Sequence, residues 1–427
     1  MKVVINVNVF RSTLRLFLRT WPGVALAFVF LASHVFYTLC YLFLTAWRAV
    51  FPLSKLNPSS WPTDDSRKRV LLFSEHDLDT DFRSGVMTNA VTLLSTLESQ
   101  GYDVEVVSPK HCILQFDTPT KEAEGIKTVF ASPLFLYRKI AEHHSSVIIF
   151  TSEFLLCQQA RVACFFHNKT YLARLATRWD CFLNDWFLMP KWFSRIFLRN
   201  IIHVLDEHLG VIAEPIMVYG RDTLKLRGTF HHFPQTIRNE FWNKPLPDKD
   251  KGRKPVFISV GRVSTEKNIE AFLEWKVDGI KHVVGDGPVL EQYKKDYPEV
   301  TFHGRLDGEE LVDAFDLADY FVFPSRTDTF GMVAVEALSR GLPIIAYAQE
   351  MGPNCVVGGT MVDTLAPTLG ESYAKAQHIT PAQCIESAQR YSPTALFEAF
   401  LKIEAALEAQ KRPPVKRKKT SEEERAA

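Results

Sequence analysis

Beyond residue 62 the chain reads as two series of short apolar runs, each closed by a polar turn and followed by a stretch with helical spacing. In the first series Arg69-Val70-Leu71-Leu72-Phe73-Ser74 has the continuous apolar character of a strand buried on both faces of a parallel sheet. The spacing predicts a helix over 86–99, ended by Gln100-Gly101-Tyr102, and a second strand over 103–109. Later strands are read at 146–151 and 210–213. The second series places strands at 255–261, 281–285, 300–304, 320–324 and 343–346, alternating with helices near 267–275, 287–296, 308–317 and 331–340. Such alternation predicts an α/β fold with doubly wound parallel sheets. A polar, proline-bearing linker at 244–254 separates the series. Two Rossmann-like domains are therefore expected, their strand-end loops facing a common cleft.

The pattern sets the expected limits. Residues 1–62 form an N-terminal anchor and linker, 63–245 the first domain, 255–380 the second, 381–410 a C-terminal helix, and 411–427 a disordered basic and acidic tail. From Thr20 to Trp47 there is no Lys, Arg, Asp or Glu. That run exceeds the roughly 20 residues a membrane helix needs and the roughly 7–15 of a signal-peptide core, so a membrane helix is expected. Pro22 and His34 interrupt it, which leaves a single-pass and a monotopic helix both open. Basic residues flank both ends, so the side of the membrane stays open, with the cytosolic face as the working choice. Arg11, Arg15 and Arg19 share one face of a helix and suit anionic headgroups.

Charge and cysteine content narrow the classes. The 50 basic and 49 acidic residues nearly cancel, so no large field argues for nucleic acid as a partner. Seven cysteines without a C-x-x-C pair read as reduced thiols.

Candidate chemistry gathers at strand ends of the second series. In 321–347 an apolar strand enters a polar turn, and Asp328 and Glu336 frame the glycine that opens the next helix. That arrangement suits an acid on a sugar ring, backbone N–H groups on a phosphate and a second acid on a ribose. Arg262 and Lys267, in the loop after 255–261, can converge on a diphosphate. Gly261, Gly285 and Gly304 allow close approach of a flat group to the backbone.

Taken in order, Val260-Gly261-Arg262, Glu266-Lys267-Asn268, Val284-Gly285-Asp286-Gly287-Pro288, Phe302-His303-Gly304, Pro324-Ser325, Asp328-Thr329-Phe330-Gly331, Glu336-Ala337 and Gly341-Leu342-Pro343 resemble the retaining glycosyltransferases of the GT-B fold, family 4. The resemblance is dense over 255–350 and loose over the rest of 69–405. It implies a GT-B architecture and a hexosyltransferase. Arg262 and Lys267 would neutralise the leaving diphosphate, Glu336 would take the ribose hydroxyls, and Asp328 would hold donor-sugar hydroxyls. Gly85, Gly261, Gly285, Arg305, Leu306, Phe330, Gly331 and Met332 would complete the donor site. Asp328 stands where the family usually has Glu. A supporting histidine falls on His167 in one register, and on Ala176 in another that aligns Ala176-Thr177-Arg178-Trp179. Gln235-Thr236-Ile237-Arg238 stands in place of the family's R-G-V-D.

The implied donor is a nucleotide sugar of GDP-mannose or UDP-glucose type, with no metal or cofactor. The anchor points to a glycolipid, lipid-linked or other glycan acceptor. Asp77-x-Asp79 and Asp79-x-Asp81 imitate a metal-binding motif but sit in a first-domain loop, where a polar loop is the simpler reading. The competing function is an inactive relative serving as a membrane-bound scaffold. A sugar-nucleotide epimerase of the same fold is a third reading, and it leaves the anchor unexplained.

Overall fold

The computed structural model describes residues 22–50, 68–75, 85–109, 114–117, 127–141, 146–150, 155–187, 189–248, 252–326, 328–349 and 352–409. Among the described residues the strands are β1 (Arg69–Phe73), β2 (Asp103–Val107), β3 (Leu114–Asp117), β4 (Lys127–Phe130), β5 (Ser146–Ile149), β6 (Leu172–Leu175), β7 (His208–Val211), β8 (Thr229–His232), β9 (Val256–Val260), β10 (Ile280–Val284), β11 (Thr301–Gly304), β12 (Tyr320–Phe323) and β13 (Ile344–Ala346). The first sheet runs β2-β1-β5-β6-β7-β8 and the second β11-β10-β9-β12-β13, every pairing in both being parallel. β3 and β4 form a separate antiparallel hairpin.

The central strands are apolar because helices cover both of their faces. Val70, Leu71, Leu72 and Phe73 of β1 are fully buried, as are Phe257 and Ile258 of β9. In both sheets the chain starts at a central strand, steps outward, and returns past it to build the other side. That reversal opens a crevice at the carboxyl ends of the strands.

The β3–β4 hairpin, β6, β8 and the C-terminal helix depart from the sequence expectation. β6 escaped because it is four residues long and carries Arg174, which is buried and stacks on the Phe150 ring at 4.3 Å. β8 escaped because its histidines mark a partly exposed edge, where His231 meets His208 at 3.0 Å. The helix expected over 381–410 is two, Pro381–Ala388 and Pro393–Ala409. Pro393 cannot supply the N–H that continuation needs, and Ser392 instead caps the second helix by accepting from Ala395 N–H at 3.2 Å.

That last helix returns to the first domain. Leu396, Phe400, Ile403 and Leu407 share a core with Leu93, Leu97 and Tyr102. Buried Glu404 accepts from Lys68 Nζ at 2.7 Å, Tyr102 OH at 3.0 Å and Ser146 Oγ at 3.3 Å. It thereby ties the end of the chain to the start of β1.

Helix Leu155–Phe166 is the hub of the first domain, and fully buried Arg161 fixes it. Its guanidinium donates to both carboxylate oxygens of Asp206, at 2.7 and 3.0 Å. Tyr171 OH at 2.9 Å and His203 Nδ1 at 2.7 Å complete the cluster. At the other end of the helix, Glu75 follows β1 and accepts from Leu156 N–H at 3.1 Å with both oxygens. Burial pushes the Glu75 carboxyl up to about 8, outweighing the N–H groups at the helix start.

The N-terminal helix, Pro22–Val50, lies against this hub, with Phe30, Tyr37 and Tyr41 buried on it. Among the described residues no helix is long and apolar enough to cross a membrane, so the expected transmembrane helix has no support here.

Asp206→Ala removes the carboxylate that faces the buried Arg161 charge, and urea melts are expected to show a loss of about 3–5 kcal/mol. Glu75 makes stability pH-dependent in a definite direction. Its folded value lies above its unfolded one, so its contribution is complete below pH 4.5 and is lost as pH rises towards 8. Chemical melts from pH 5 to pH 8 should therefore show stability falling by up to about 1.4 kcal/mol per pH unit. Glu75→Gln should flatten that slope.

Candidate functional site

The site is built from the loops that close β9, β10, β11 and β12 along the carboxyl edge of the second sheet. Backbone pairing continues into these loops. Gly261 N–H donates to Val284 O at 2.9 Å, Gly285 N–H to Gly304 O at 2.7 Å, and Val263 N–H to Asp286 O at 2.9 Å. A Cβ on Gly285 would sit 1.8 Å from Gly261 O, so only glycine permits this approach. The result is a flat backbone ledge at the strand ends.

Asn268 sets the next feature. It takes a left-handed backbone (φ 54°), and its Nδ2 donates to Pro324 O at 3.0 Å, joining the β9 and β12 loops. The preceding residue, Lys267, is thereby presented to Asp328, with Nζ 2.6 Å from Oδ1. The other oxygen, Asp328 Oδ2, is buried with no hydrogen-bond partner. Arg262 is exposed on the same β9 loop. Arg305 is exposed at the end of β11 and donates to Asp307 at 3.0 Å, while Leu306 packs half-buried on the core.

Gly331, at φ 85°, turns the chain into helix Met332–Ser339. A Cβ there would meet the Phe323 ring at 2.9 Å. Phe330 points inward onto Tyr391, with ring centroids 5.6 Å apart. Its backbone, not its ring, therefore serves this edge. One turn into the helix stands Glu336, 3% exposed. Burial raises its carboxyl above the usual carboxylate range, and the Arg238 guanidinium pulls it back down.

Arg238 is the residue whose role sequence reasoning missed. It lies between β8 and the linker, and its guanidinium reaches Glu336 Oε1 and Asp307 Oδ1, both at 3.3 Å. Two residues earlier, Thr236 O accepts from Asn89 Nδ2 at 3.3 Å, on helix Gly85–Ser99 of the first domain. The crossing between the domains is thus tied to both sides. Glu336 Oε2 and Arg238 Nε are buried without hydrogen-bond partners, so the pair is half satisfied. The only signal in the sequence was a charge of the opposite sign at the end of Gln235-Thr236-Ile237-Arg238.

The structure thus gathers Gly261, Arg262, Lys267, Gly285, Arg305, Leu306, Asp328, Phe330, Gly331, Met332 and Glu336 on four adjacent loops and the helix they lead into. Gly85 begins the helix after β1, on the first domain. His167 is not brought to this group. It follows helix Leu155–Phe166 at the amino-terminal edge of the first sheet, its ring 4.2 Å from that of Tyr137. Ala176, the other register, directly follows β6 at the carboxyl edge. Ser84 and the Asp77, Asp79 and Asp81 group lie outside the described residues.

Two parallel α/β domains with a strand-end site in the second define the GT-B glycosyltransferase fold. Comparison with solved structures agrees. The sucrose-phosphate synthase of Thermosynechococcus elongatus superposes with a TM-score of 0.58 over 80% of this chain and 100% of that one, at 18% identity. Residues 242–360 match the family of glycosyl transferases group 1. A sulfoquinovosyl transferase of Arabidopsis thaliana is 28% identical over 180 residues, 38% of this chain and 34% of the relative. An alpha-monoglucosyldiacylglycerol synthase of Acholeplasma laidlawii is 25% identical over 334 residues, 66% of this chain and 81% of the relative. The match thus spans about a third of the plant relative's length.

Arg238→Gln removes the charge that holds Glu336 down, so Glu336 is expected to titrate at higher pH than in the parent. Carboxylate infrared spectra, differenced against Glu336→Gln, read this directly. A Glu336 value unchanged by Arg238→Gln removes the pairing.

Proposed function

We propose that the protein is a family 4 retaining glycosyltransferase, held at a membrane by its N-terminal segment. It moves a hexose of mannose or glucose type from a GDP- or UDP-sugar to a glycolipid, lipid-linked or other glycan acceptor. The observation that carries this reading is the convergence of Lys267–Asp328 and Glu336 on one backbone ledge, each acid keeping one buried oxygen without a partner. Those two oxygens are acceptors in want of hydroxyl donors, which a sugar and a ribose supply. The alpha-monoglucosyldiacylglycerol synthase relative supports a glycolipid product.

In this reading Glu336 Oε2 accepts from the ribose, and Asp328 Oδ2 from the donor sugar. Arg262 and Lys267 meet the diphosphate, Lys267 swinging from Asp328 toward it. The N–H groups around Phe330-Gly331-Met332 at the helix start add to the phosphate site. As the anomeric C–O bond breaks, the electron pair leaves with the diphosphate and the sugar becomes oxocarbenium-like. The two cations stabilise that leaving charge. The acceptor hydroxyl adds to the same face and its proton passes to the departing phosphate oxygen, so configuration is retained. No step calls on a cofactor.

A donor screen with membrane-lipid extract, read by mass spectrometry, is expected to show hexose transfer from one nucleotide sugar. Glu336→Ala and Lys267→Ala should each lower turnover about 100-fold or more while leaving the melting temperature near that of the parent. Calorimetry showing no nucleotide-sugar binding to the parent would leave the scaffold reading in place of this one.

A further inference from the structure

Helix Met332–Ser339 engages the segment that crosses between the domains in two places. Glu336 on the helix meets Arg238, and Arg340 at its end holds the same segment further along. The Arg340 guanidinium is buried and donates to Lys244 O at 2.7 Å, Pro245 O at 2.8 Å and Phe241 O at 3.4 Å. It also donates to both oxygens of Asp316 at 2.8 Å, so all five of its N–H groups are used. The Phe241 ring is buried against Phe315 of helix Gly308–Leu317, with centroids 5.5 Å apart. Residues 241–245 are therefore fixed to the second domain.

The start of the crossing is fixed to the first domain. Phe233 N–H donates to Val211 O at 2.8 Å, and the Phe233 side chain shares a core with Val70 and Leu72. Thr236 O accepts from Asn89 Nδ2 at 3.3 Å. Arg238 falls on the short span between these anchors, two residues after Thr236 and three before Phe241. A change in the angle between the domains is taken up on that span, because both of its ends are held. The charged groups acting on Glu336 come from three elements. Arg238 is on the span, Asp307 is in the loop after β11, and Glu240 is on helix Glu240–Asn243. Burial raises the Glu336 carboxyl and the two acids add to that, while Arg238 opposes them. A protonated carboxyl presents a donor where a hydroxyl needs an acceptor, so the use of Glu336 as an acceptor depends on that cation.

We infer that Arg238 is a positioning residue of the donor site: from a span anchored to both domains it holds Glu336 Oε1, leaving Oε2 as the acceptor for a ribose hydroxyl. The inference rests on the nucleotide-sugar reading given above and adds to it the residue that prepares the ribose contact. Arg238 touches no reacting atom and acts through Glu336. By linkage, a donor that engages Glu336 favours the domain setting in which Arg238 reaches that carboxylate, and a setting that withdraws Arg238 weakens the donor.

The test is calorimetric binding of UDP-glucose and of GDP-mannose to the full chain between pH 6 and pH 8.5. Arg238→Gln is expected to bind about tenfold more weakly at pH 7, as for a lost hydrogen bond to a charged group. Without the cation Glu336 keeps its proton to higher pH, so the deficit should be largest at pH 6 and shrink as pH rises. Arg238→Lys, which keeps the charge, should recover most of the parent's pH profile. In a Glu336→Gln background Arg238→Gln should cost nothing further, because its effect passes through that carboxylate. Asn89→Ala frees one anchor and should reproduce the pH-dependent deficit in part; it carries the test if Arg238→Gln does not fold. The inference is overturned by a deficit equal at every pH, by losses that add in full to those of Glu336→Gln, or by an Asn89→Ala protein that binds like the parent. A parent that binds neither nucleotide sugar removes the proposed reaction and this role with it. A parent that binds one of them, with Arg238→Gln unchanged, removes this role alone.

Discussion

The first domain is organised around one desolvated ion pair. Arg161 and Asp206 sit at zero side-chain exposure, where an unpaired charge would be intolerable. All the hydrogen-bonding capacity of Asp206 is directed inward: Oδ1 takes Arg161 and Tyr171, and Oδ2 takes Arg161 and His203. Such a pair adds little net stability over well-packed apolar groups, but it accepts only one arrangement of the elements that carry it. Helix Leu155–Phe166 is therefore fixed in rotation. Its Gln158 and Gln159 are aimed at the N-terminal helix, and its first turn is placed over Glu75 at the end of β1. The way the N-terminal helix lies depends on that rotation.

The second domain reaches order by other means. Its loops are held by glycine-limited backbone contacts and by the Asn268 bridge to Pro324, with charge kept at the edge. This suits the charged ligand proposed for the site, since a rigid backbone ledge pre-positions donors without filling the pocket. Arg238 connects the two regimes. It comes from the crossing segment, which Asn89 holds from the first domain, and it ends on Glu336 in the second. A change in the angle between the domains would move Arg238 relative to Glu336.

These regimes explain what the sequence could reveal. The second domain's strands are continuous apolar runs, and the candidate residues Lys267 and Asp328 occupy strand-end loops at short, ordered spacing, with Glu336 one turn into the helix that follows, so the pattern could group them before any role was assigned. The alternation of apolar runs and turns likewise showed two parallel sheets. What stayed hidden depends on distant pairing. Arg161 meets Asp206 across 45 positions and Arg238 meets Glu336 across 98, and no local pattern encodes either contact. Arg174 kept β6 from reading as an apolar run, although its guanidinium is buried and stacks on the Phe150 ring. The N-terminal helix misled for a related reason. Periodicity cannot separate a helix wrapped by lipid from one with protein on one side, and only the polar contacts of Ser33, His34 and Tyr37 draw that line.

Asp206 and the two acids at the edge of the second sheet differ in how far their own chain satisfies them. Asp206 is saturated by its own chain, so it has nothing to offer a ligand. Glu336 and Asp328 are held with comparable care, each by a single cation, yet each retains a buried oxygen without a partner, and Arg238 retains an N–H. Leaving polar atoms dry and unpaired costs roughly 1–3 kcal/mol each. A fold would shed that cost if the residues served packing alone, because an apolar side chain at 336 would fill the same space without penalty. The expense is coherent if hydroxyl groups arrive to complete the bonds, since each acceptor already held in place then adds to binding without further ordering of the protein.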